Sequence, residues 1–143
     1  MIQNGRRIMG IDYGSKRVGV AISDPLRKIS QGATTLENDR NMIERLCKII
    51  DERDVECVVV GMPYGPDGGK GVKAIEVEGF IQRLRSATSV DIDTWDESYS
   101  SVNARQAFIA GGMKRKRRQQ KARVDEMAAR LLLQEYLDNQ DSR

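Results

Sequence analysis

Short apolar runs along the chain predict five β-strands. The first two runs are separated by the polar stretch 12–16, which indicates a β-hairpin. The run at 57–61 is continuously apolar and too short for a helix, so we expect a central, parallel strand that is buried on both faces. The predicted strands are residues 7–11, 18–23, a third that closes at Thr34 and Thr35, 57–61 and 90–95.

Apolar residues at helical spacing predict four helices. In the first, Met42, Leu46 and Ile50 recur every four residues, and Asn38 or Asp39 is the expected N-cap. The other three are a helix around residues 77–84, one from about 100 to 110 that stops at two glycines, and one from near 124 toward 139.

The order of these elements predicts the fold class. Three consecutive strands are followed by helix, strand, helix, strand and two helices, which indicates a mixed α/β sheet with helices on its faces. A chain of 143 residues has the usual size of one domain. We therefore expect residues 1–143 to form a single domain.

Composition excludes several classes of protein. The chain contains no histidine, which excludes a His-ligated zinc site and a histidine general base. No stretch approaches the roughly 20 apolar residues of a membrane helix, and residues 1–7 do not resemble a secretory signal. We expect a cytoplasmic protein with no membrane partner, in which Cys47 and Cys57 are reduced core residues.

Positive charge is concentrated in one segment. Residues 113–123 contain seven of the 24 Lys and Arg residues and no acidic residue. This arrangement is expected where a polyanion is held, and a solvated loop is the alternative. The candidate phosphate contacts are Lys114, Arg115, Lys116, Arg117, Arg118 and Lys121, together with Lys16 and Arg17 in the predicted hairpin.

Three acidic residues are candidates for chemistry. Asp12 ends a strand on the face of Ile8 and Gly10, although an aspartate at a hairpin turn is also common. Glu97 directly follows a strand, where a solvated acidic loop is the alternative. Asp125 falls on the apolar face of its helix, where burial of a charge is costly. Its alternative is a first-turn acid that the helix dipole stabilises.

The three carboxylates together predict a metal site. Strand ends in α/β sheets lead into one crevice, where ligands usually bind. Carboxylates that converge there need cations between them, and oxygen ligands select hard ions such as Mg²⁺ or Mn²⁺. Such ions stabilise the attacking and leaving oxygens of a phosphodiester displacement. The pattern therefore predicts a metal-dependent nuclease.

Four short motifs occur in a specific order. They are residues 9–14 (MGIDYG) running into 17–24 (RVGVAISD), Gly61-Met62-Pro63 with Asp67-Gly68, Asp96-Glu97 with Ser100-Ser101, and 124–129 (VDEMAA). In this order they resemble the YqgF family, RNase H-like proteins first called Holliday junction resolvases and later taken as nucleases that mature small-subunit ribosomal RNA. The resemblance spans nearly the whole chain. It implies an RNase H-like fold with a mixed five-stranded sheet whose first three strands are antiparallel.

The resemblance also implies roles for residues. By motif, the acidic triad of the family falls on Asp12, Glu97 and Asp125, as catalytic residues and as ligands of Mg²⁺ or Mn²⁺. The implied activity is 5′-end processing of pre-16S rRNA in ribosome biogenesis, with RNA as the expected substrate and ribosomal precursor particles as a candidate partner. Ser98 stands where the family usually has Arg, and Gly65 where Asn is usual, which leaves the substrate contacts open.

Three other functions fit parts of the sequence. A resolvase of branched DNA would use the same triad. A non-catalytic nucleic-acid-binding or regulatory module would keep salt-dependent binding without metal-dependent cleavage. An actin-like or sugar-kinase-like phosphotransferase has a similar Asp-x-Gly-Ser hairpin, but those proteins need two such domains around the nucleotide, and this chain has the length of one.

Overall fold

The computed structural model describes the backbone of residues 6–64, 71–97 and 117–141, and their side chains except at 32–33, 117–125 and 141. The strands are β1 (Arg7–Tyr13), β2 (Arg17–Ser23), β3 (Ser30–Glu37), β4 (Val55–Met62) and β5 (Asp91–Asp96). The helices are α1 (Met42–Glu52), α2 (Val72–Ala87) and α3 (Arg117–Asp141). The helix expected at 100–110 lies outside the described residues.

The strands form one mixed sheet in the order β3-β2-β1-β4-β5. β2 is antiparallel to both β1 and β3, whereas β4 is parallel to both β1 and β5. The predicted α/β fold, with a mixed five-stranded sheet and three antiparallel first strands, is therefore confirmed. β1 is the central strand. β4 is an interior, parallel strand, as its apolar run predicted.

The hairpin between β1 and β2 has a shorter turn than the sequence suggested. The predicted first strand, residues 7–11, is two residues too short, because Asp12 lies opposite Gly19 and pairing with β2 continues to Tyr13. Asn38 holds the turn. Its side-chain Nδ2 donates to the Gly14 carbonyl at 2.8 Å, and its backbone N–H donates to the Lys16 carbonyl at 3.0 Å.

Each face of the sheet is covered by its own apolar core. Helices α1 and α2 pack on one face, where Met42, Leu46 and Phe80 are fully buried. Helix α3 packs on the other face, mainly over β1, β2 and β3. The core beneath α3 contains Ile8, Ala21, Val59, Ala129, Leu133, Tyr136 and Leu137. Alternation along the strands thus sends successive side chains into two different cores.

Helix α1 is capped at a different residue from the one predicted. The N-cap is Asn41 rather than Asn38 or Asp39. Asp39 Oδ1 instead accepts hydrogen bonds from the backbone N–H of Asn41 at 3.0 Å and from the Arg45 guanidinium at 2.7 Å. The Asp39 carboxylate therefore stabilises the residues that precede α1 and does not cap the helix itself.

Helix α3 begins earlier than the sequence indicated. It starts at Arg117 rather than near Val124, so basic and amide residues extend it in the N-terminal direction. Such residues have good helix propensity, but they do not contribute apolar residues at helical spacing, from which a helix could be predicted. Within the described ranges, no helix is long and apolar enough to cross a membrane.

The two cysteines are free and half-buried, which is more exposed than the core positions expected for them. Burial raises the pKa of both thiols. For Cys57 the pKa reaches about 11, because the nearby carboxylates of Asp93 and Asp91 add to the effect of burial.

Candidate active site

Asp12 is a buried carboxylate near the carboxyl end of the central strand. It shares a sheet face with Ile8 and Gly10, and this face is covered by α3. Only 3% of its surface is exposed, and it lies within a strand, so the alternative of an ordinary turn aspartate does not apply. A carboxylate at such a depth is costly unless polar partners or a cation stabilise it.

A glycine two residues before Asp12 allows α3 to lie directly on β1. A Cβ atom at Gly10 would come within 2.8 Å of the Leu133 Cβ and 3.3 Å of the Ala129 carbonyl oxygen. Because real Cβ atoms do not approach their neighbours so closely, the missing side chain sets the distance between strand and helix. Helix α3 is thereby held against the strand that carries Asp12.

Glu97 follows β5, and its side chain lies over β4. Its backbone N–H donates to the Met62 carbonyl at 3.1 Å. A Cβ atom added at Gly61 would lie 2.8 Å from Glu97 Cγ and 2.9 Å from Cδ, and it would also overlap Oε1. Gly61 therefore leaves the space that the carboxylate occupies.

The surroundings of the Glu97 carboxyl group shift its pKa in opposing directions. Burial raises the pKa of Glu97 above its ordinary value of 4.5. The Lys73 ammonium, in the first turn of α2, opposes this shift, and the charge of the neighbouring Asp96 adds to it. An added cation would favour the ionised carboxylate in this environment.

The sheet register brings Asp12 and Glu97 to the same place. Ile11 pairs with Val60, so the next residue of β1, Asp12, comes beside Gly61 of β4. Glu97 approaches the same glycine from the other side, because its strand β5 pairs with the opposite edge of β4. Neighbouring strands lie about 4.8 Å apart. Asp12 and Glu97 thus both lie beside Gly61, on either side of β4.

Asp125 belongs to α3, and its side chain is outside the described residues. It is the ninth residue of the helix, so the alternative of a first-turn acid stabilised by the helix dipole does not apply. The helix runs antiparallel to β1, since Ala129 lies at Gly10 while Leu137 and Ile8 line one cavity further back. Asp125 precedes Ala129 by about one turn, which places its backbone toward the carboxyl end of β1.

The predicted phosphate contacts are only partly within the described residues. Lys16 is exposed and Arg17 is half-buried at the β1–β2 turn, at the same end of the sheet as Asp12. Lys114, Arg115 and Lys116 lie outside the described residues. Arg117, Arg118 and Lys121 are in the first turns of α3, without described side chains. The basic segment is therefore helical in part, rather than a stretch that ends before the helix.

Three residues that shape the site were missed by the sequence analysis. Gly10 and Gly61 are glycines inside apolar strands, and such a glycine often marks a close approach of another group. This signal was present in the sequence. For Lys73 there was no comparable signal, because an exposed lysine in the first turn of a helix is common and its neighbour Glu97 is distant in sequence.

Comparison with known proteins identifies the family. Residues 6–139 match the family model described as RuvX, Holliday junction resolvase. The chain belongs to the RuvX family. A relative from Desulforamulus reducens is 41% identical over 138 residues, which cover 93% of this chain and 97% of the relative. A second relative, from Syntrophomonas wolfei, is 39% identical over 137 residues, which cover 92% of this chain and 94% of the relative. Both bear the name "Putative pre-16S rRNA nuclease". RuvX is another name for the YqgF family, so the family membership that the motifs predicted is confirmed.

Two solved structures are similar in fold to this chain. RuvC of Thermus thermophilus in complex with a Holliday junction superposes with a TM-score of 0.59 at 13% identity, over 95% of this chain and 96% of that one. The fowlpox virus resolvase in complex with Holliday junction DNA superposes with a TM-score of 0.53 at 14% identity, over 94% of this chain and 98% of that one. At such identities the likeness concerns the fold alone. The predicted RNase H-like fold is confirmed.

Proposed function

We propose that this RuvX-family chain is a divalent-metal-dependent endonuclease that hydrolyses phosphodiester bonds of nucleic acid. One observation carries the proposal. A carboxylate buried on the central strand and a second carboxylate directly after β5 both lie beside Gly61, at one end of the sheet. Paired acids in a partly desolvated position at a strand end are typical of a ligand site.

The chemistry of the donors fits a hard cation. Asp12 and Glu97 offer only oxygen atoms, and the chain has no histidine that would favour a softer metal. Among the described side chains there is no cluster of three or more metal-ligating groups. In the proposal the third ligand is Asp125, whose backbone on α3 lies toward this end of the sheet.

A bound Mg²⁺ or Mn²⁺ would neutralise the charge that develops on a phosphodiester during its hydrolysis. The protein contributes the fixed positions of the ligands. Asp12 is held by strand pairing on both sides of β1, and Glu97 is held through its backbone hydrogen bond to Met62. Lys73 adds a positive charge beside Glu97, which favours the ionised carboxylate.

The proposed substrate is RNA, with the 5′ end of pre-16S rRNA as the processed site and ribosomal precursor particles in the cytoplasm as the setting. The names of the curated relatives support this choice. Branched DNA is the second candidate, because the family description and two solved structures of the same fold concern Holliday junctions. Lys16, Arg17 and the basic residues 114–118 and 121 are proposed to bind backbone phosphates.

The decisive experiment compares Asp12→Asn with the wild type on three substrates, with Mg²⁺, with Mn²⁺ and with chelator. The substrates are a pre-16S rRNA 5′ segment, an unrelated structured RNA and a four-way DNA junction. Asp51→Asn, which changes an exposed acid on α1, is the matched control. We expect Asp12→Asn to bind as the wild type does but to cleave at least about 100-fold more slowly, and Asp51→Asn to cleave normally.

Two outcomes would contradict the proposal. Cleavage by Asp12→Asn at the wild-type rate would show that the site is not catalytic. Salt-dependent binding by the wild type without cleavage of any substrate would indicate a binding module instead. The phosphate contacts are tested separately by neutralising residues 114–118, which should weaken binding and flatten its dependence on salt concentration.

A further inference from the structure

Two side-chain hydrogen bonds join β5 to α3 on the sheet face that carries the candidate site. The Trp95 indole N–H donates to Glu135 Oε1 at 3.1 Å. The Tyr136 hydroxyl donates to Asp93 Oδ2 at 2.9 Å. The Trp95 and Tyr136 rings also meet edge to face, with centroids 6.0 Å apart and an interplanar angle of 89°. These four residues are called the β5–α3 clamp below.

The clamp connects two elements that carry proposed metal ligands. Trp95 lies two residues before Glu97 in the chain, and Glu135 lies ten residues after Asp125 on α3. Ten residues of a helix span about 15 Å. A displacement of α3 along its axis at Glu135 would therefore also displace the backbone of Asp125.

The main apolar packing of α3 does not involve β5, so other contacts must fix the position of the helix relative to that strand. The helix lies mainly over β1, β2 and β3, whereas Glu97 follows β5, at the far edge of the sheet. Apolar contacts are non-directional. Hydrogen bonds require defined distances and angles, so they select one register.

Two polar groups of the clamp, those of Glu135 and Tyr136, are partly or largely buried, where a hydrogen bond restricts the register of the helix most strongly. Glu135 is half-buried, and burial raises the pKa of its carboxyl group while the hydrogen bond from Trp95 opposes the shift. Tyr136 is 7% exposed. Separating hydrogen-bonded groups at this depth costs free energy, because water replaces the lost partner poorly.

We propose that the β5–α3 clamp positions the metal site: Trp95 and Asp93 hold α3, through Glu135 and Tyr136, in the register that brings Asp125 to Glu97. This inference rests on the proposed function, since it assumes that Asp125 and Glu97 bind the same metal. The clamp residues touch neither the metal nor the substrate. They act through the two carboxylates.

The expected effect of loosening the clamp is a loss of metal affinity. Mg²⁺ and Mn²⁺ sites need ligand positions accurate to about 0.5 Å. Removal of hydrogen bonds that orient metal ligands typically weakens metal binding about 10-fold to 100-fold. We expect an increase of about tenfold in the Mn²⁺ dissociation constant for Trp95→Phe, Tyr136→Phe and Glu135→Ala. Tyr136→Phe keeps its ring and removes only the hydroxyl donor, whereas Trp95→Phe removes the indole donor together with part of the ring.

The test is titration of the full-length chain with Mn²⁺ by calorimetry, alongside thermal unfolding and nucleic-acid affinity in chelator. Glu135→Gln is the rescue variant, because its amide oxygen still accepts the hydrogen bond from Trp95. Ile81→Val is the stability control, since it removes a methyl group from the core on the opposite face. We expect wild-type Mn²⁺ affinity for both variants, and unchanged nucleic-acid affinity in chelator for every variant.

The outcomes separate this inference from the proposed function. Clamp variants that bind Mn²⁺ as tightly as a metal-binding wild type would overturn the positioning role and leave the proposed function intact. A loss in Glu135→Gln equal to that in Glu135→Ala would also overturn it, because the hydrogen bond would not be the cause. A wild type that binds no Mn²⁺ would refute the proposed function, and the clamp proposal with it.

Discussion

Gly61→Ala tests the candidate site by changing a residue that carries no functional group. The added methyl group would lie 2.8 Å from Glu97 Cγ and 2.9 Å from Cδ, so the Glu97 side chain must move. The backbone at Gly61 does not adopt the left-handed conformation that favours glycine, so this overlap is the main source of strain. The substitution therefore displaces one proposed metal ligand and leaves both carboxylates in the chain.

The expected magnitudes separate loss of function from loss of stability. Overpacking by one methyl group costs about 1–3 kcal/mol, and loss of glycine flexibility in the unfolded chain offsets about 0.4–1 kcal/mol of it. The variant should remain folded. Misplacement of a reacting group by about 1 Å lowers the rate about 100-fold. We therefore expect a loss of cleavage much larger than the fraction of unfolded protein explains.

The assay combines cleavage rate, Mn²⁺ affinity and urea unfolding for Gly61→Ala and for a matched control, Gly79→Ala. An added Cβ at Gly79, in α2, meets no atom within 4 Å. The control should cleave normally and gain about 0.5–1 kcal/mol of stability. In a Glu97→Gln background, Gly61→Ala should cause little further loss of activity, because both changes act on one side chain. Wild-type cleavage and Mn²⁺ affinity in Gly61→Ala would refute the reasoning.

Three further predictions follow from burial and packing. In chelator, Glu97→Gln should be more stable than the wild type at pH 7 but not at about pH 3. Burial raises the Glu97 pKa despite Lys73, so its ionisation as the pH rises above 4.5 destabilises the metal-free folded state; urea unfolding at both pH values measures this, and a pH-independent difference would contradict it. Gly10→Val should cost at least about 1–3 kcal/mol in urea unfolding, because its side chain collides with Leu133; a neutral result would mean that α3 moves away freely. Alkylation of Cys57 should be slow at pH 8 and accelerate toward pH 11, as followed by peptide mapping, and a rate already maximal at pH 8 would contradict the raised pKa.

Most of the sheet could be predicted from apolar patterns, because strands buried on one or both faces produce them directly. The run at 57–61 indicated an interior parallel strand, and β4 is one. The start of α3 could not be found in this way, since Arg117 to Arg123 contribute no apolar face. The predicted first strand stopped at residue 11 because a polar residue at the end of an apolar run looks the same in a strand as in a turn.

The candidate site was predictable as a set of residues but not as a geometry. Motifs and spacing selected Asp12 and Glu97, and the sheet order then explains why both lie beside Gly61. That order depends on the pairing of β1 with β4, which are separated by more than 40 residues and by α1. Nothing local in the sequence specifies such a pairing. The role of Asp125 stays a prediction, supported by its place on α3.

The last described helix packs on the first three strands, which has a consequence for synthesis. A nascent chain that has exposed β1, β2 and β3 still lacks the residues that cover Ile8 and Ala21, because Ala129 and Leu133 are translated about 100 residues later. One apolar surface of the emerging sheet therefore stays open to water or chaperones until translation is nearly complete. A chain released early would lack this cover, and its exposed apolar surface would make it prone to aggregation.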